Sequence, residues 1–218
     1  MAFFYQKSMK SNQLLEKAIE SCETLSNLTY NIVVAKNSKE FLIRLLFLKS
    51  DFSHILGLHY FKDITQLRSE QSSERRYELV KNNVANVRQL MVSSRYFERI
   101  VPRLKAIAKL ESILDSNKEL YYKRPEALGN SVIHYDFLIK GVYEKVCFAF
   151  VVEDRNETPR YVVESIFEGK NRDYSFGRRP YSLLFKCKID KASNREELLF
   201  SLKSEELKKY KKEINEKK

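Results

Sequence analysis

Hydrophobic and polar positions follow two kinds of spacing along the chain, and each kind predicts a different secondary-structure element. Residues 8–27 carry apolar side chains at helical spacing and predict an amphipathic helix. The runs 30–35 and 41–48 are rich in Val, Ile, Leu and Phe and flank a polar Lys-Asn-Ser-Lys cluster, which predicts a β-hairpin. A polar break at 49–51 precedes apolar positions at helical spacing and predicts a short helix.

The middle of the chain is predicted to be helical and the C-terminal part to be a sheet. Apolar spacing between Val84 and Leu114 predicts two or more helices, preceded by a helix start near Ser73. After Asn117, β-branched and aromatic runs separated by turn residues predict an antiparallel meander. These runs are 120–123, 132–139, 143–152, 161–167 and 181–189. The capping box Ser-Asn-Arg-Glu at 193–196 predicts a terminal helix.

This order of elements predicts an α+β fold. We expect an antiparallel sheet, packed with helices and assembled from two distant parts of the chain. Residues 1–190 are predicted to form a single domain, in which 62–118 are a basic helical insertion between the N-terminal hairpin and the C-terminal strands. Residues 191–218 are predicted to form a charged terminal helix or tail.

Charge narrows the functional classes. Among 218 residues, 40 Lys and Arg oppose 29 Asp and Glu, giving a formal net charge of +11. Residues 62–124 carry 14 basic and 8 acidic residues, and a second basic cluster lies at 170–188. Such a balance favours a polyanionic partner, nucleic acid before an anionic membrane. The alternative is a basic surface that only keeps the protein soluble.

The compartment is expected to be a reduced cytoplasm. Cys22, Cys147 and Cys187 are far apart and form no C-x-x-C pair, which favours buried structural thiols. The first residues lack the apolar core and cleavage site of a secretory signal. No apolar run of about 18 residues indicates a membrane span, so no membrane partner is expected.

Several kinds of catalytic site lack the necessary motif. His54 and His59 are five residues apart, which on a helix turns them about 140° from each other, whereas a shared metal requires a spacing of four or a loop. The five glycines form no phosphate-binding loop, and no G-x-S-x-G elbow supports a serine hydrolase. We therefore expect no metal and no cofactor.

Acid–base chemistry by histidine remains, and it suits RNA because the substrate supplies its own nucleophile, the 2′-hydroxyl. A histidine ordinarily titrates near 6.5, so His54 or His59 can serve as base or acid. The alternative for both is a hydrogen-bonded role in the core. On a continuous helix His59 shares a face with Phe52 and Ile55, which favours that structural role, whereas His54 lies off this face and can reach a cleft.

The segment D-F-S-H-I-L-G-L-H-Y-F at 51–61 resembles the F-P-H-L-L-G-L segment of phage-associated nucleases of the barnase, EndoU, colicin and RelE-like superfamily, fourth phage subtype. The later segments 148–154, 161–168, 172–174 and 180–186 resemble strands of the same family. The chain has Ser53 where proline is usual, but keeps the adjacent histidine. The resemblance implies nuclease activity, with His54 and Ser165 in the site.

The predicted site combines this resemblance with the residue chemistry. The resemblance implies Lys123, Arg124, Tyr174, Arg178 and Tyr181 as neighbours of the site. Tyrosines beside basic residues can stack on bases while the cations hold the backbone. We predict a catalytic set of His54, Ser165, His59 and Tyr174. The predicted nucleic-acid-binding set is Lys123, Arg124, Arg178, Arg179, Tyr181 and Lys186.

Three functions remain open from the sequence. The first is a metal-independent endoribonuclease, toxin-like or phage-related, with RNA as its partner, DNA as the alternative, and an antitoxin or immunity protein as a further expected partner. The second is a nucleic-acid-binding module without catalysis, in which the helical insertion holds phosphates. The third is a phage-encoded protein-interaction factor whose basic surface meets an acidic protein.

Overall fold

The computed structural model describes residues 2–124, 135–141, 147–154, 160–169 and 173–202; side chains are described from residue 9 onward, except at 147, 148 and 154. Its helices are α1 (Ala2–Ser26), α2 (Lys49–Ile55), α3 (Thr65–Ser69), α4 (Ser73–Lys81), α5 (Val87–Ser93) and α6 (Phe97–Asp115). Short 3₁₀ turns span Leu58–Tyr60 and Val84–Asn86. Its strands are β1 (Leu28–Lys36), β2 (Lys39–Leu46), β3 (Leu120–Lys123), β4 (Phe137–Lys140), β5 (Cys147–Asp154), β6 (Arg160–Glu168), β7 (Ser182–Asp190) and β8 (Arg195–Ser201).

The eight strands form one sheet in the order β3-β4-β5-β6-β2-β1-β7-β8. All pairings are antiparallel except that of β2 with β6, where Leu45 and Leu46 lie opposite Tyr161 and Val162. This parallel pair joins the N-terminal hairpin to the C-terminal meander. The predicted α+β class is therefore confirmed, with a mostly antiparallel sheet built from two distant parts of the chain.

The helices cover one face of the sheet and share one large core with it. Leu15 of α1, Phe52 of α2, Tyr77 of α4 and Ile107 of α6 are buried together with Val163 of β6. The helices between 62 and 118 thus pack onto the same core as α1 and the hairpin. Burial of such side chains from every layer is the main stabilising contribution to the fold.

The other face of the sheet carries a separate aromatic cluster. Tyr122, Tyr135, Leu138 and Phe150 are buried there, and Tyr174 packs against them. The sheet also curls strongly, because Tyr121 of β3 forms a bridge with Tyr181, which immediately precedes β7. The first strand in the order, β3, therefore meets the residue that leads into β7, the strand next to the last.

The predicted terminal helix is wrong at its start. Residues 195–201 form strand β8, which pairs with β7 and extends the sheet past the predicted domain end at 190. The polar residues after Asp190 form a tight turn, in which Ser193 N–H and Oγ–H both donate to Asp190 Oδ1 (2.7 and 2.8 Å). A serine that bonds backward in this way closes a hairpin rather than capping a helix. Residues 203–218 of the predicted tail lie outside the described residues.

Two further sequence expectations can be compared with the structure. Cys22 and Cys187 are buried free thiols. No helix within the described part of the chain is long and apolar enough to cross a membrane. Residues 155–157, which the sequence predicts to form the hairpin loop after the run 143–152, lie outside the described residues, as do Lys170 and Arg172 of the second basic cluster.

Candidate active site

The segment 51–61 folds as two short helical turns that are joined by a glycine. Helix α2 ends at Ile55, and Gly57 follows with φ +74°, in the left-handed region that favours glycine. A Cβ at Gly57 would lie 3.0 Å from Ile100 Cγ2 and 3.0 Å from Tyr60 Cδ2, so the space also requires glycine. The Gly57 N–H donates to the His54 carbonyl (2.9 Å), and the chain turns back on α2.

This turn stacks the two histidines on each other. The ring centroids of His54 and His59 are 5.1 Å apart, with 14° between the ring planes. The Tyr60 ring lies 4.2 Å from His59 on the same turn. Both histidines are exposed at the surface. The expected core role of His59 is therefore wrong, because helical spacing cannot be carried past a glycine that ends the helix.

The surroundings of His59 disfavour its charged form. Partial burial of the ring is the largest cause, followed by the positive charges of His54, Arg103 and Arg76, and together they lower the pKa of His59 to about 4. Arg103 is held close by, since its Nη1 donates to the Ile55 carbonyl (3.4 Å) and its guanidinium lies 5.7 Å from the Tyr60 ring centroid. His59 is thus neutral at pH 7.

Glu164 of β6 lies close to His54 of α2. Its Oε1 lies 3.7 Å from His54 Nε2, and each side chain is about half exposed (50% and 46%). The register of β5 with β6 shifts between Phe150 and Val151, so that Glu164 is an extra residue in β6. Such a bulge re-aims one side chain. Here Glu164 joins Val163 on the helical side of the sheet.

A basic cavity of about 410 Å³ opens beside the histidines. His59 lines it together with Lys62, Arg68 and Arg76. The Arg76 guanidinium is fixed by donating to the carbonyls of Leu67 (3.0 Å) and Glu70. The cavity therefore presents three cations next to a stacked pair of proton-transfer groups.

Ser165 and Tyr174 belong to the opposite face of the sheet. Ser165 lies opposite Phe150, whose ring is part of the aromatic cluster there, and side chains paired across strands point to the same face. The Tyr174 ring packs 5.1 Å from Phe150 and 5.7 Å from Phe167. The structure thus brings His54 and His59 together, but places Ser165 and Tyr174 away from them.

The predicted nucleic-acid-binding residues divide into two groups. Lys123, Arg124 and Tyr181 line one cavity, and the carbonyl of neighbouring Arg179 accepts a hydrogen bond from Lys36 at its rim (3.3 Å). Arg178 instead donates to the Tyr135 hydroxyl (2.7 Å) on the aromatic face.

The prediction that Lys186 binds nucleic acid is wrong. Its ammonium is fully buried and pairs with Glu119 at 2.5 Å. Because a buried lysine offers no surface to a nucleic acid, Lys186 does not belong to the binding set.

Comparison with known proteins confirms the family that the sequence resembles. A family model described as phage-Barnase-EndoU-ColicinE5/D-RelE like nuclease4, PBECR4, matches residues 14–218. The chain belongs to this family. No curated protein and no solved structure gave a match.

Sequence reasoning missed Glu164, which lies beside His54, and the turn at Gly57, which stacks the two histidines. Glu164 stands inside an apolar strand, which was a usable signal, but the bulge that aims it leaves no trace in the sequence. Gly57 between the two histidines was the signal for their stacking, because glycine commonly ends a helix. Within the described ranges, no three His, Cys, Asp or Glu side chains are grouped closely enough to hold a metal ion.

Proposed function

We propose that this PBECR4 protein is a metal-independent endoribonuclease that cleaves RNA at the His54–His59 pair through attack of the 2′-hydroxyl. The observation that carries the proposal is the stacking of these two imidazoles at 5.1 Å beside a cavity lined by Lys62, Arg68 and Arg76. A base, an acid and cations are the groups that this reaction requires.

Two imidazoles so close together disfavour double protonation, since the charge of one raises the free energy of charging the other. His59, whose pKa is lowered to about 4, is then the neutral partner that accepts the proton of the 2′-hydroxyl. His54 acts as the acid and donates a proton to the leaving 5′-oxygen. Environments that separate the protonation of two neighbouring groups commonly mark an acid and base pair.

Glu164 and the arginines support this chemistry in different ways. The Glu164 carboxylate, 3.7 Å from His54 Nε2, can form an ion pair with the protonated ring and so orient it. Arg68, Arg76 and Lys62 face the cavity and would stabilise the extra negative charge on the phosphorane. A phosphate held there offsets part of the positive field on His59, which makes His59 a stronger base in the complex.

The test is incubation of the purified protein with RNA in the presence of EDTA. We expect cleavage to continue, and products ending in a 2′,3′-cyclic phosphate. His54→Ala and His59→Ala should each lower kcat by about 100-fold or more. Both variants should melt like the natural protein, because the two rings are exposed.

Ser165→Ala is the discriminating comparison. We expect it to cleave RNA normally, since Ser165 faces the aromatic cluster. If Ser165→Ala were inactive while His59→Ala remained active, the site would lie on the other face of the sheet. If the natural protein is stably folded and binds RNA but leaves the RNA uncut, a non-catalytic binding module is the better description of its function.

We also propose a toxin-like role for this cleavage, supported by the phage association in the family description. Induced expression in bacteria should arrest growth, and His54→Ala should restore it. Equal growth of cells expressing either protein at the same level would contradict the role. A neutralising antitoxin or immunity partner would be found by its ability to restore growth to cells expressing the natural protein.

A further inference from the structure

A second basic cavity, of about 480 Å³, lies at the seam of the curled sheet, away from the histidines. It is lined by Lys36, Asn37, Lys39, Phe41, Lys123, Arg124 and Tyr181. Lys36, Asn37 and Lys39 come from the turn between β1 and β2. Asn37 and Ser38, the two central residues of this turn, both have positive φ (51° and 61°). Positive φ at both central residues is typical of a two-residue hairpin turn, whose twist matches that of the flanking strands. The turn therefore sets the positions of Lys36 and Lys39 on its two sides.

Aromatic rings hold two of the lysines in place. The Lys123 ammonium lies 4.3 Å from the Phe41 ring centroid, and that of Lys36 lies 5.3 Å from the Tyr181 ring centroid. Lys36 is fixed further by its hydrogen bond to the Arg179 carbonyl (3.3 Å). Since these ring faces are covered by cations, the cavity is organised to present positive charge rather than to stack a base.

The ligand that fits this cavity is a phosphate group. Among the described residues that line it, none carries a carboxylate, whereas Lys36, Lys39 and Lys123 each contribute an ammonium group. Several cations that line one cavity create a positive potential that attracts and holds an anion. Ammonium groups bind phosphate as point charges, with no preference for the sequence of the nucleic acid.

The cavity lies on the helical side of the sheet, at the opposite end of β2 from the histidines. Phe41 begins the strand that leads to Leu45, which lies opposite Tyr161, and Glu164 follows Tyr161 in the same direction. At about 3.3 Å per residue, the cavity and Glu164 are about 20 Å apart. Glu153 of β5 lies opposite Tyr161, and burial together with the charges of Glu153 and Asp136 raises the pKa of Tyr161 to about 12, so carboxylates lie beside the start of β6.

We propose that this seam cavity binds a backbone phosphate of the same RNA strand that is cleaved at His54 and His59. The proposal rests on the proposed function and adds its substrate class: a flexible single strand, long enough to be held at both ends of β2. The strand is then anchored at two places, the histidine pair and the seam cavity. A single strand, unlike a duplex, bends easily enough to follow the curled sheet.

Fluorescence anisotropy on the His54→Ala background tests the cavity without cleavage. The probe is a labelled single-stranded RNA without terminal phosphates, so that only internal phosphodiesters can bind. Lys36→Ala/Lys123→Ala should raise its Kd about tenfold and lower the slope of log Kd against log salt by about 0.7 for each lost contact. Lys39→Ala, which leaves the aromatic contacts intact, should weaken binding to a smaller extent.

The matched control is Lys10→Ala/Lys17→Ala, which removes the same charge from exposed positions of α1. The control should bind like its parent. Equal binding by the cavity variants and the control would overturn the proposal, as would tighter binding of an RNA duplex than of the single strand.

Cleavage kinetics of otherwise natural chains separate this proposal from the catalytic one. The cavity variants should raise KM for the long strand, with cleavage of a dinucleotide unchanged, because a dinucleotide cannot reach the cavity. Binding that depends on the cavity in a protein that never cleaves RNA would overturn the cleavage proposal but support the phosphate site. Cleavage of long and short RNA unaffected by the cavity variants would overturn the phosphate site and leave the nuclease.

Discussion

The His54–Glu164 pair and the Lys186–Glu119 pair each place a basic side chain beside a carboxylate. The first pair is exposed, whereas the second is buried. His54 and Glu164 approach to 3.7 Å with about half of each side chain exposed, whereas Lys186 and Glu119 approach to 2.5 Å with neither exposed. The first pair can meet a substrate. The second is closed off and can only contribute to the fold. The number of basic residues in the chain thus overstates the number of cations that are available for binding.

The buried pair is satisfied by several elements at once. Lys186 of β7 also donates to the Leu114 carbonyl at the end of α6, and Tyr121 of β3 donates to Glu119 Oε1 (2.7 Å). Burial lowers the pKa of Lys186, although Glu119 opposes this shift. The pair therefore links α6 to both ends of the curled sheet, and its loss would be felt throughout the fold.

The largest expected effect comes from breaking this buried pair. Lys186→Met leaves the Glu119 carboxylate buried without its cation and should lower the free energy of unfolding by about 3–5 kcal/mol. Lys49→Met, which breaks the exposed Lys49–Glu78 pair, should cost less than about 1 kcal/mol. Denaturant titration of both variants measures the difference.

The double variant Lys186→Met/Glu119→Gln isolates the cause of this loss. It removes both charges but keeps an acceptor for Tyr121, so most of the stability should return. If the double variant were no more stable than Lys186→Met, lost packing rather than the unpaired carboxylate would be responsible.

A smaller effect is expected at the turn that stacks the histidines. Gly57→Ala forces an alanine into φ +74° and places its Cβ 3.0 Å from Ile100 and Tyr60, which should cost about 1–3 kcal/mol and reduce RNA cleavage. The measurements are a denaturant midpoint and kcat/KM on one RNA.

Gly177→Ala is the matched control, because Gly177 has φ +72° but nothing lies within 4 Å of its Cβ position. It carries the backbone strain without the clash, and should cost less stability and leave cleavage intact. Similar losses in both variants would show that strain alone, and not the packing of the turn, determines the effect of Gly57→Ala.

The regular part of the fold was predictable from the sequence, because local patterns determine it. The hairpin, α1 and the helices from Ser73 onward follow directly from apolar spacing and turn residues. Strand β8 was missed, since Ser193 favours a helix cap and a tight turn alike, and only the open edge of β7 decides between them. At such positions the pairing with a neighbouring strand overrides the local conformational preference of the residues.

The candidate site was only partly predictable, because its geometry depends on irregular backbone. The family that the segment around His54 suggested is confirmed, whereas the role of His54 stays a prediction. The bulge at Glu164 and the return of the chain at Gly57 depend on contacts between distant elements, which a local pattern does not contain. Lys186 was misplaced for a related reason, since a lysine on a strand can face either solvent or core.

The smallest expected effect is a change in pH dependence around His59. The positive charge of Arg103 contributes to the low pKa of His59, so Arg103→Met should raise this pKa from about 4 toward the ordinary value near 6.5. Only neutral His59 accepts a proton, and the acid limb of kcat/KM should therefore move to higher pH. NMR titration of the His59 ring measures the same shift without catalysis. Arg99→Met is the control, because Arg99 lies on the same helix but packs on Tyr96 (5.2 Å), and its profile should match that of the natural protein. An acid limb left in place by Arg103→Met, while the His59 resonance moves, would show that another group is the base.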